Sequence, residues 1–500
     1  MKIKKILVAN RGEIAIRVMR SAREMNIKTV AVFSEADRTS LHVRIADEAV
    51  LIGAPPSSQS YLRGEKIIAA AKQTGADSIH PGYGFLSENA AFADDVKKAG
   101  LIFIGPSGDS MRMMGSKLAA KETAKKHNIP MVPGTEGAIS NAKEAIVIAK
   151  KIGFPILIKA SAGGGGKGMR VVKNENELEE QMKLAISEAE KSFGDGAVFI
   201  EKYVSTPRHI EVQVLGDMHG NMVHLFEREC SVQRRHQKLV EEAPSSILTS
   251  EMRAQMGESA VAAAKACGYY NAGTVEFLVD EKLNYYFLEM NTRLQVEHPV
   301  TELISGIDLV KEQIKIAAGE KLSFTQSDLN IRGHAIELRV CAEDPENNFL
   351  PDTGTLNRYV QPQGAGVRVD DGMEEGQEVS IYYDPMMAKL IAYGATRNEA
   401  IDRLIRAIDE YKISGVNTTL SFGKWVLQHK DFRSGNFDTS FIEKNFKPGT
   451  VLDKLSDDEI QIGALLSASL MLDKKSGTQK NISVRITNNF SNWRKNRSAE

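Results

Sequence analysis

The sequence predicts a mixed fold, α/β at the N-terminal end and α+β beyond it. Three observations carry this. Strand-like and helix-like segments alternate over residues 1–110, strand pairs surround one very glycine-rich loop, and strands become more frequent after about residue 331. Lys5–Ala9 is a short apolar run that suits a buried parallel strand. Within Arg11–Met25, Ile14, Val18 and Ala22 stand at i, i+4 spacing, one face of a helix. Thr29–Phe33 reads as strand, Ile67–Lys72 as helix, Ser78–His80 as extended, Ala91–Lys98 as helix and Leu101–Ile104 as strand. Repeated βα units imply a parallel sheet covered by helices.

A second region, from about Ser116 to Gly319, opens with a helix over Ser116–His127 that Ile129-Pro130 closes. A third, from about Ile331 to Lys447, has strands at Ala335–Val340, Gly366–Val369 and Ala388–Ala392 and a helix over Ile401–Glu410. The tail, 448–500, differs in character. Ser456-Asp-Asp-Glu459 is a capping box opening a helix with apolar Ile462, Leu465, Leu466 and Leu470. Ile482, Val484 and Ile486 alternate as a strand would. There is no internal repeat and no low-complexity linker.

At 500 residues the chain has room for about three domains. A composition of 42% apolar and 26% charged residues excludes disorder for the bulk of it. A net charge of −1 offers no basic surface for nucleic acid or an anionic membrane. Cys230, Cys267 and Cys341 are far apart and lack metal-ligand spacing, which suits a reducing compartment and excludes a disulfide scaffold. The N-terminus lacks a signal-peptide core, and no run reaches the ~18 apolar residues of a membrane span. A cytoplasmic protein is expected.

Ser161-Ala-Gly-Gly-Gly-Gly-Lys-Gly168 fits the spacing of a dinucleotide fingerprint, but such a loop must open a helix, and here Met169–Val172 continues as strand. A P-loop also fails, because Lys167 is followed by Gly168 rather than Ser or Thr. What remains is a strand, Pro155–Lys159, a glycine loop and a second strand. Backbone N–H groups without Cβ obstruction can approach an anion closely, and such a hairpin can close over a nucleotide. The plain alternative is a flexible hairpin tip.

Thr274–Asp280 and Tyr285–Asn291 read as strands joined by a four-residue loop, 281–284. Closing the hairpin there pairs Asp280 with Tyr285, Leu278 with Phe287 and Glu276 with Glu289, and puts Asn291 on the face of Glu289. Two carboxylates directly opposite repel unless something neutralises them. With the Asn291 amide oxygen they form a hard-oxygen set suited to Mg²⁺ or Mn²⁺ bridging to nucleotide phosphates. A solvated acidic face is the alternative.

Asn291-Thr-Arg-Leu-Gln-Val-Glu-His298 is dense in polar groups, and Pro299 is expected to break the element and leave a loop. Arg293 can hold a planar oxyanion through two parallel hydrogen bonds, and Glu297 can act as a general base if its pKa is raised. His298 reads as a structural histidine. In Glu229–Lys238, alternation of Gln233 and Arg235 against Arg234, His236 and Lys238 would send half of these groups inward.

Five stretches together resemble biotin carboxylase, the ATP-grasp component of acetyl-CoA, propionyl-CoA and pyruvate carboxylases. They are Val8–Ala15, His80–Asn89, the glycine loop, Gln233–Lys238 and Glu289–His298, in the family's order over about residues 1–446. The resemblance implies a Rossmann-like N-terminal domain at 1–113 and an ATP-grasp domain at 114–330 with a mobile lid at about 131–203. It further implies a mixed C-terminal domain at 331–446 and a tail at 447–500. It also implies ATP-dependent carboxylation of biotin by bicarbonate through carboxyphosphate, with biotin carried on another protein.

By the same resemblance, Lys117 and Lys159 would contact the ATP phosphates, and Gly165, Gly166 and Met169 would belong to the lid. Glu201, Lys202 and Val204 would line the adenine site, and His209, Gln233 and His236 would touch the nucleotide. Glu276, Glu289 and Asn291 would hold two Mg²⁺ or Mn²⁺ ions. Lys238, Arg293, Gln295 and Val296 would cradle bicarbonate, with Glu297 as its base. Arg339 would stabilise the biotin enolate, and Tyr83 would approach the biotin ring.

A biotinylated carrier lysine is not apparent, since Met386-Met-Ala-Lys389 has the wrong order and place, and there is no room for a carboxyltransferase domain. One subunit of a multi-subunit carboxylase is therefore expected, a homodimer partnered by a biotin carboxyl carrier protein and a carboxyltransferase subunit. The tail resembles the start of the docking region in acyl-CoA carboxylase α chains; packing on its own domain is the alternative. Another ATP-grasp ligase, such as a carbamoyl-phosphate-type enzyme, and an inactive scaffold subunit are the competing readings.

Overall fold

The computed structural model describes residues 2–115, 117–135, 137, 139, 142–160, 169–194, 196–450 and 461–469. Gly165, Gly166, the side chain of Lys117, and the tail features at Ser456–Glu459, Leu470, Ile482, Val484 and Ile486 lie outside the described residues. The chain divides into two units, Met1–Val451 and Leu452–Glu500. In the second, residues 461–469 form a helix on which Ile462, Leu465 and Leu466 are exposed.

The N-terminal βα alternation builds a five-stranded parallel sheet. Its order is Glu48–Gly53, Lys28–Ser34, Lys5–Val8, Ser78–His80 and Ile102–Phe103. The central strand is enclosed beyond its first residue, with Ile6, Leu7 and Val8 fully buried. Helix Gly12–Glu24 packs Ile14, Ala15, Val18 and Ala22 against it, as their spacing predicts. The edge strand Glu48–Gly53 is passed over in the sequence reading, although Ala49–Ile52 is a short apolar run like that of Lys5–Ala9; in the fold only Ile52 of that run is buried.

A three-stranded antiparallel sheet, Met169–Val172, Ile156–Ala160 and Val198–Lys202, is packed by helices Ala142–Ile152 and Glu175–Phe193. Its core includes Ile156, Ile158, Val172, Leu178, Met182 and Val198.

The site rests on an eight-stranded antiparallel sheet. Its order is Tyr285–Asn291, Asn271–Val279, Arg208–Gly216, Met222–Arg234, Gln237–Ala243, His334–Cys341, Met386–Gly394 and Val367–Asp371. This sheet runs through both sides of residue 330, since Gln237–Ala243 pairs with His334–Cys341. In Arg208–Gly216, Ile210, Val212 and Val214 join a core with Met256, Ala260 and Ala264 of helix Ser250–Ala266. Period-two alternation puts His209, Glu211 and Gln213 on the opposite face, where they too are buried. A polar face enclosed in this way must be satisfied internally.

Glu229, on strand Met222–Arg234, shows the energetics of such burial. It accepts hydrogen bonds from the Ser231 and Ser245 hydroxyls and stands 3.4 Å from Arg208. Burial pushes its carboxyl from 4.5 up to about 7, against the pull of Arg208. The folded state then binds this proton more tightly than the unfolded chain, so the group's contribution falls as pH rises from about 4.5 to about 7. Relative to wild type, Glu229→Gln should gain up to about 3 kcal/mol of stability between pH 5 and pH 7.5, read from urea unfolding at both values. A pH-independent difference would contradict this.

Candidate active site

Glu276 and Glu289 face each other across the hairpin, as the sequence predicts. The rest of the predicted register needs correction. Val279 pairs with Tyr285 and Leu278 with Tyr286, so the loop is one residue longer than expected. Asp280 does not continue the ladder, because its carboxylate accepts from the N–H groups of Lys282 and Asn284 and holds the turn. A bulge at Leu288 then restores the frame before the two acids meet.

The neighbouring strand adds to this face. Glu211 stands directly beside Glu276, and His209 Nε2 is 2.8 Å from Glu276 Oε2. Lys238 arrives from strand Gln237–Ala243. Its ammonium donates to Glu211 Oε2 at 2.5 Å, Glu276 Oε1 at 3.0 Å, Glu297 Oε1 at 2.8 Å and Gln295 Oε1 at 3.3 Å. Burial disfavours its charge, but the three carboxylates outweigh that and raise its pKa well above the ordinary lysine value. Arg228, fully buried, donates from Nε to Glu211 and from its terminal nitrogens to Gln213, Thr301 and Thr274 at 2.8–3.0 Å.

Glu297 is gripped from the other side as well. Arg339 donates from Nη2 to Glu297 Oε2 at 2.9 Å and from Nε to Glu241 Oε1 at 2.6 Å. The expectation of a raised pKa at Glu297 is therefore corrected. Burial pushes it up, but Lys238, Arg339 and Arg228 together hold it well below the carboxylate range. Pro299 likewise opens a helix, His298–Ser305, rather than ending an element; its missing N–H costs nothing in the first turn. His298 is buried, bonded to the Gln295 carbonyl at 2.8 Å and kept neutral chiefly by burial, in keeping with a structural histidine.

Arg293 donates to Glu88 at 2.9 Å and to Asn291 Oδ1 at 3.1 Å, and Gln295 donates to Glu276 at 3.0 Å. Tyr83 donates its hydroxyl to Glu13. Lys159 pairs with buried Glu201 at 2.6 Å on the three-stranded sheet, close to Met169, its cross-strand partner. Lys202 gives its ammonium to the carbonyls of Gly153 and Phe154 at 2.9 and 3.0 Å, and Val204 follows that strand half-buried. Gln233 is buried opposite Lys238. The predicted alternation does not continue to His236. Arg235 and His236 both take positive φ, 49° and 68°, and form the exposed two-residue turn of the hairpin.

The donor chemistry suits a divalent cation. Glu276 is held ionised; burial opposes this, but Lys238 and His209 overcome it. Its partner Glu289 faces it from an exposed position, and Asn291 Nδ2 lies 2.9 Å from Glu276 Oε1. This is an oxygen set of mixed burial, open on one side, as a nucleotide-bridging Mg²⁺ or Mn²⁺ requires.

Comparison with known proteins extends the argument. The family model "Biotin carboxylase, N-terminal domain" matches residues 2–111 and "Biotin carboxylase C-terminal domain" matches 337–444. Between them, "Carbamoyl-phosphate synthase L chain, ATP binding domain" matches 116–325. Biotin carboxylase 1 of Bacillus subtilis is 53% identical over 442 residues, 88% of this chain and 98% of that protein. The chain belongs to the biotin carboxylase family. It is thus an ATP-dependent carboxylating ligase with an ATP-grasp fold, in a family that uses ATP, Mg²⁺ and carrier-borne biotin. The propionyl-CoA carboxylase α chain of Ruegeria pomeroyi is 51% identical over 486 residues, 93% of this chain and 71% of that one. The biotin carboxylase domain dimer of Hydrogenobacter thermophilus 2-oxoglutarate carboxylase, crystallised with MgADP, ADP and bicarbonate, superposes with a TM-score of 0.85. That domain is 50% identical and matches 91% of this chain and all of that one.

Membership in this family disfavours the carbamoyl-phosphate reading, since the central match alone is shared but the flanking ones are not. Sequence reasoning passed over Glu211 and Glu241, which hold the Lys238 and Arg339 cations, and Arg228, which in turn holds Glu211. A signal was present. His209, Glu211 and Gln213 alternate with Ile210, Val212 and Val214, and Glu337 and Arg339 alternate with Ile336, Leu338 and Val340. Polar residues on an alternating strand are read by default as solvated, and here that face is enclosed.

Proposed function

We propose that the network around Lys238 is where bicarbonate is activated by ATP and its carboxyl group passed to carrier-borne biotin. The observation that carries this reading is one buried ammonium touching three carboxylates, with Arg339 on the far oxygen of Glu297. A site so arranged can exchange a carboxylate partner for an anionic substrate without creating an unpaired charge. Lys238, Arg293, Gln295 and the Val296 backbone would hold bicarbonate. Its arrival draws Lys238 away from Glu297, which restores basicity to a carboxylate already ionised, so that it can take the bicarbonate proton.

Glu276, Glu289 and Asn291 would hold the divalent ions, which offset phosphate charge when bound. Lys117, Lys159 and the glycine loop with Gly165, Gly166 and Met169 would cover the phosphates. Glu201, Lys202, Val204, His209, Gln233 and His236 would form the remaining nucleotide contacts. The bicarbonate oxygen attacks the γ-phosphoryl group, giving ADP and carboxyphosphate, which breaks down to CO₂ and phosphate. The phosphate takes the N1′ proton of biotin, Arg339 stabilises the enolate, Tyr83 seats the ring, and N1′ attacks CO₂. ADP release should therefore require both biotin and bicarbonate. Release indifferent to biotin would favour a different ATP-grasp ligase.

We further assign domains at 1–113, 114–330 with a lid at about 131–203, and 331–446. The chain would act as a homodimeric cytoplasmic subunit partnered by a biotin carboxyl carrier protein and a carboxyltransferase subunit. Three buried free thiols support the reducing compartment. The tail from 447 would dock a partner subunit. In support, the match to the Ruegeria α chain covers 93% of this chain against 88% for the nearly complete Bacillus enzyme, and helix 461–469 exposes Ile462, Leu465 and Leu466. Deleting 448–500 should abolish co-purification with carrier or transferase while sparing turnover of free biotin. Retained assembly would refute this assignment.

A further inference from the structure

Lys389 is a fully buried cation that this mechanism leaves unused. It stands on strand Met386–Gly394, directly opposite Arg339 on one neighbouring strand and Asp370 on the other. Its ammonium donates to the Val296 carbonyl at 3.1 Å. It stands 3.2 Å from Glu13 Oε2, close enough for an ion pair though not aligned as a hydrogen bond. The other oxygen of Glu13 accepts the Tyr83 hydroxyl, and the ammonium lies 6.0 Å from the centre of the Tyr83 ring.

Three parts of the molecule converge on this one group. Glu13 lies in the first turn of helix Gly12–Glu24, Val296 in the loop after strand Tyr285–Asn291, and Lys389 in the sheet beyond residue 330. We propose that Lys389, through Glu13, is a positioning residue that fixes the biotin-facing Tyr83 and the bicarbonate-facing Val296 relative to each other. The inference rests on the functional reading above and deepens it. Lys389 would touch neither substrate; it would set the distance between the two places where substrates bind.

Asp370 lies 3.8 Å from the Lys389 ammonium but keeps a nearer partner without it, because Arg368 grips it with two hydrogen bonds of 2.9 and 2.7 Å. Glu13 does depend on Lys389. Burial pushes Glu13 up to about 7, with Lys389 the main force opposing a further rise. Removing both members, Glu13→Gln with Lys389→Met, therefore leaves no new unpaired charge in the interior.

In that double variant the KM values for free biotin and for bicarbonate should both rise by about tenfold while the KM for ATP stays within about twofold of wild type. A structural role alone would lower the melting temperature and the yield of active enzyme without moving two chemically unrelated KM values together. A folded double variant with both KM values unchanged would overturn the proposal. If the double variant does not fold, Glu13→Gln alone, which keeps an acceptor for Tyr83 but loses the charge, should move both KM values in the same direction, and no movement would overturn it equally. Wild-type enzyme run in parallel separates the two levels. Biotin-independent ADP release there rejects the functional reading, whereas biotin-dependent release with unmoved variants rejects only the role of Lys389.

Discussion

Lys238→Met will lower biotin-dependent ADP release by about a thousandfold, the scale of removing a preorganised group from the developing charge of a reaction. The methionine keeps the stem and deletes the ammonium that joins Glu211, Glu276 and Glu297. The variant should still fold, because each acid retains a second partner: Arg228 for Glu211, His209 for Glu276 and Arg339 for Glu297. The stability loss should be about 3 kcal/mol, the lower end for breaking a buried ion pair. The pH dependence should change too. Glu297, pulled low mainly by Lys238, contributes stability above its unfolded pKa that is lost as pH falls through its folded one. Without Lys238 the folded pKa moves up toward the unfolded one, so that acid loss should become smaller and be complete at a higher pH. Urea unfolding from neutral pH down into the acid range below the ordinary glutamate pKa, with steady-state ADP release at neutral pH, tests both halves, and a folded variant keeping more than about a tenth of wild-type turnover would remove Lys238 from the centre of the mechanism.

Arg339→Ala should reduce carboxylation of free biotin by at least about a hundredfold and leave the KM for ATP nearly unchanged. The guanidinium spans Glu241 and Glu297 with two different nitrogens, a fork that lysine does not reproduce. Arg339→Lys is therefore expected to rescue stability more than activity. Burial already pushes Glu241 up to about 7 with Arg339 opposing, so the alanine variant should hold that carboxyl protonated at neutral pH. Equal losses in ATP binding and biotin turnover would show that Arg339 serves the fold of the whole site instead.

The sequence made some of this legible and hid the rest for identifiable reasons. The Glu276–Glu289 apposition follows from period-two alternation about a short turn, and it survives because the extra loop residue and the bulge at Leu288 cancel. Neither could be foreseen separately, since Asp280 reads equally as strand end or turn acid. The parallel sheet was legible, and its edge strand Glu48–Gly53 went unread although Ala49–Ile52 is a short apolar run of the kind that marked Lys5–Ala9. The protonation state of Glu297 was not legible, because the cations that decide it, Lys238 and Arg339, come from strands 59 and 42 residues away along the chain. The strand alternation failed to extend through His236 because two consecutive non-glycine residues adopt the left-handed region, which favours glycine and asparagine.

The pairing of Gln237–Ala243 with His334–Cys341 has a practical outcome for anyone dissecting this enzyme. A chain severed near residue 330 would leave a naked strand rim on each fragment, with Val240, Glu241, Glu242 and Ala243 stripped of their partners on one and Leu338, Glu337, Ile336 and Ala335 on the other. Such rims invite self-association. The separate halves should precipitate when made alone and reassemble when produced together, so the two chemical half-sites are inherited as one indivisible plank.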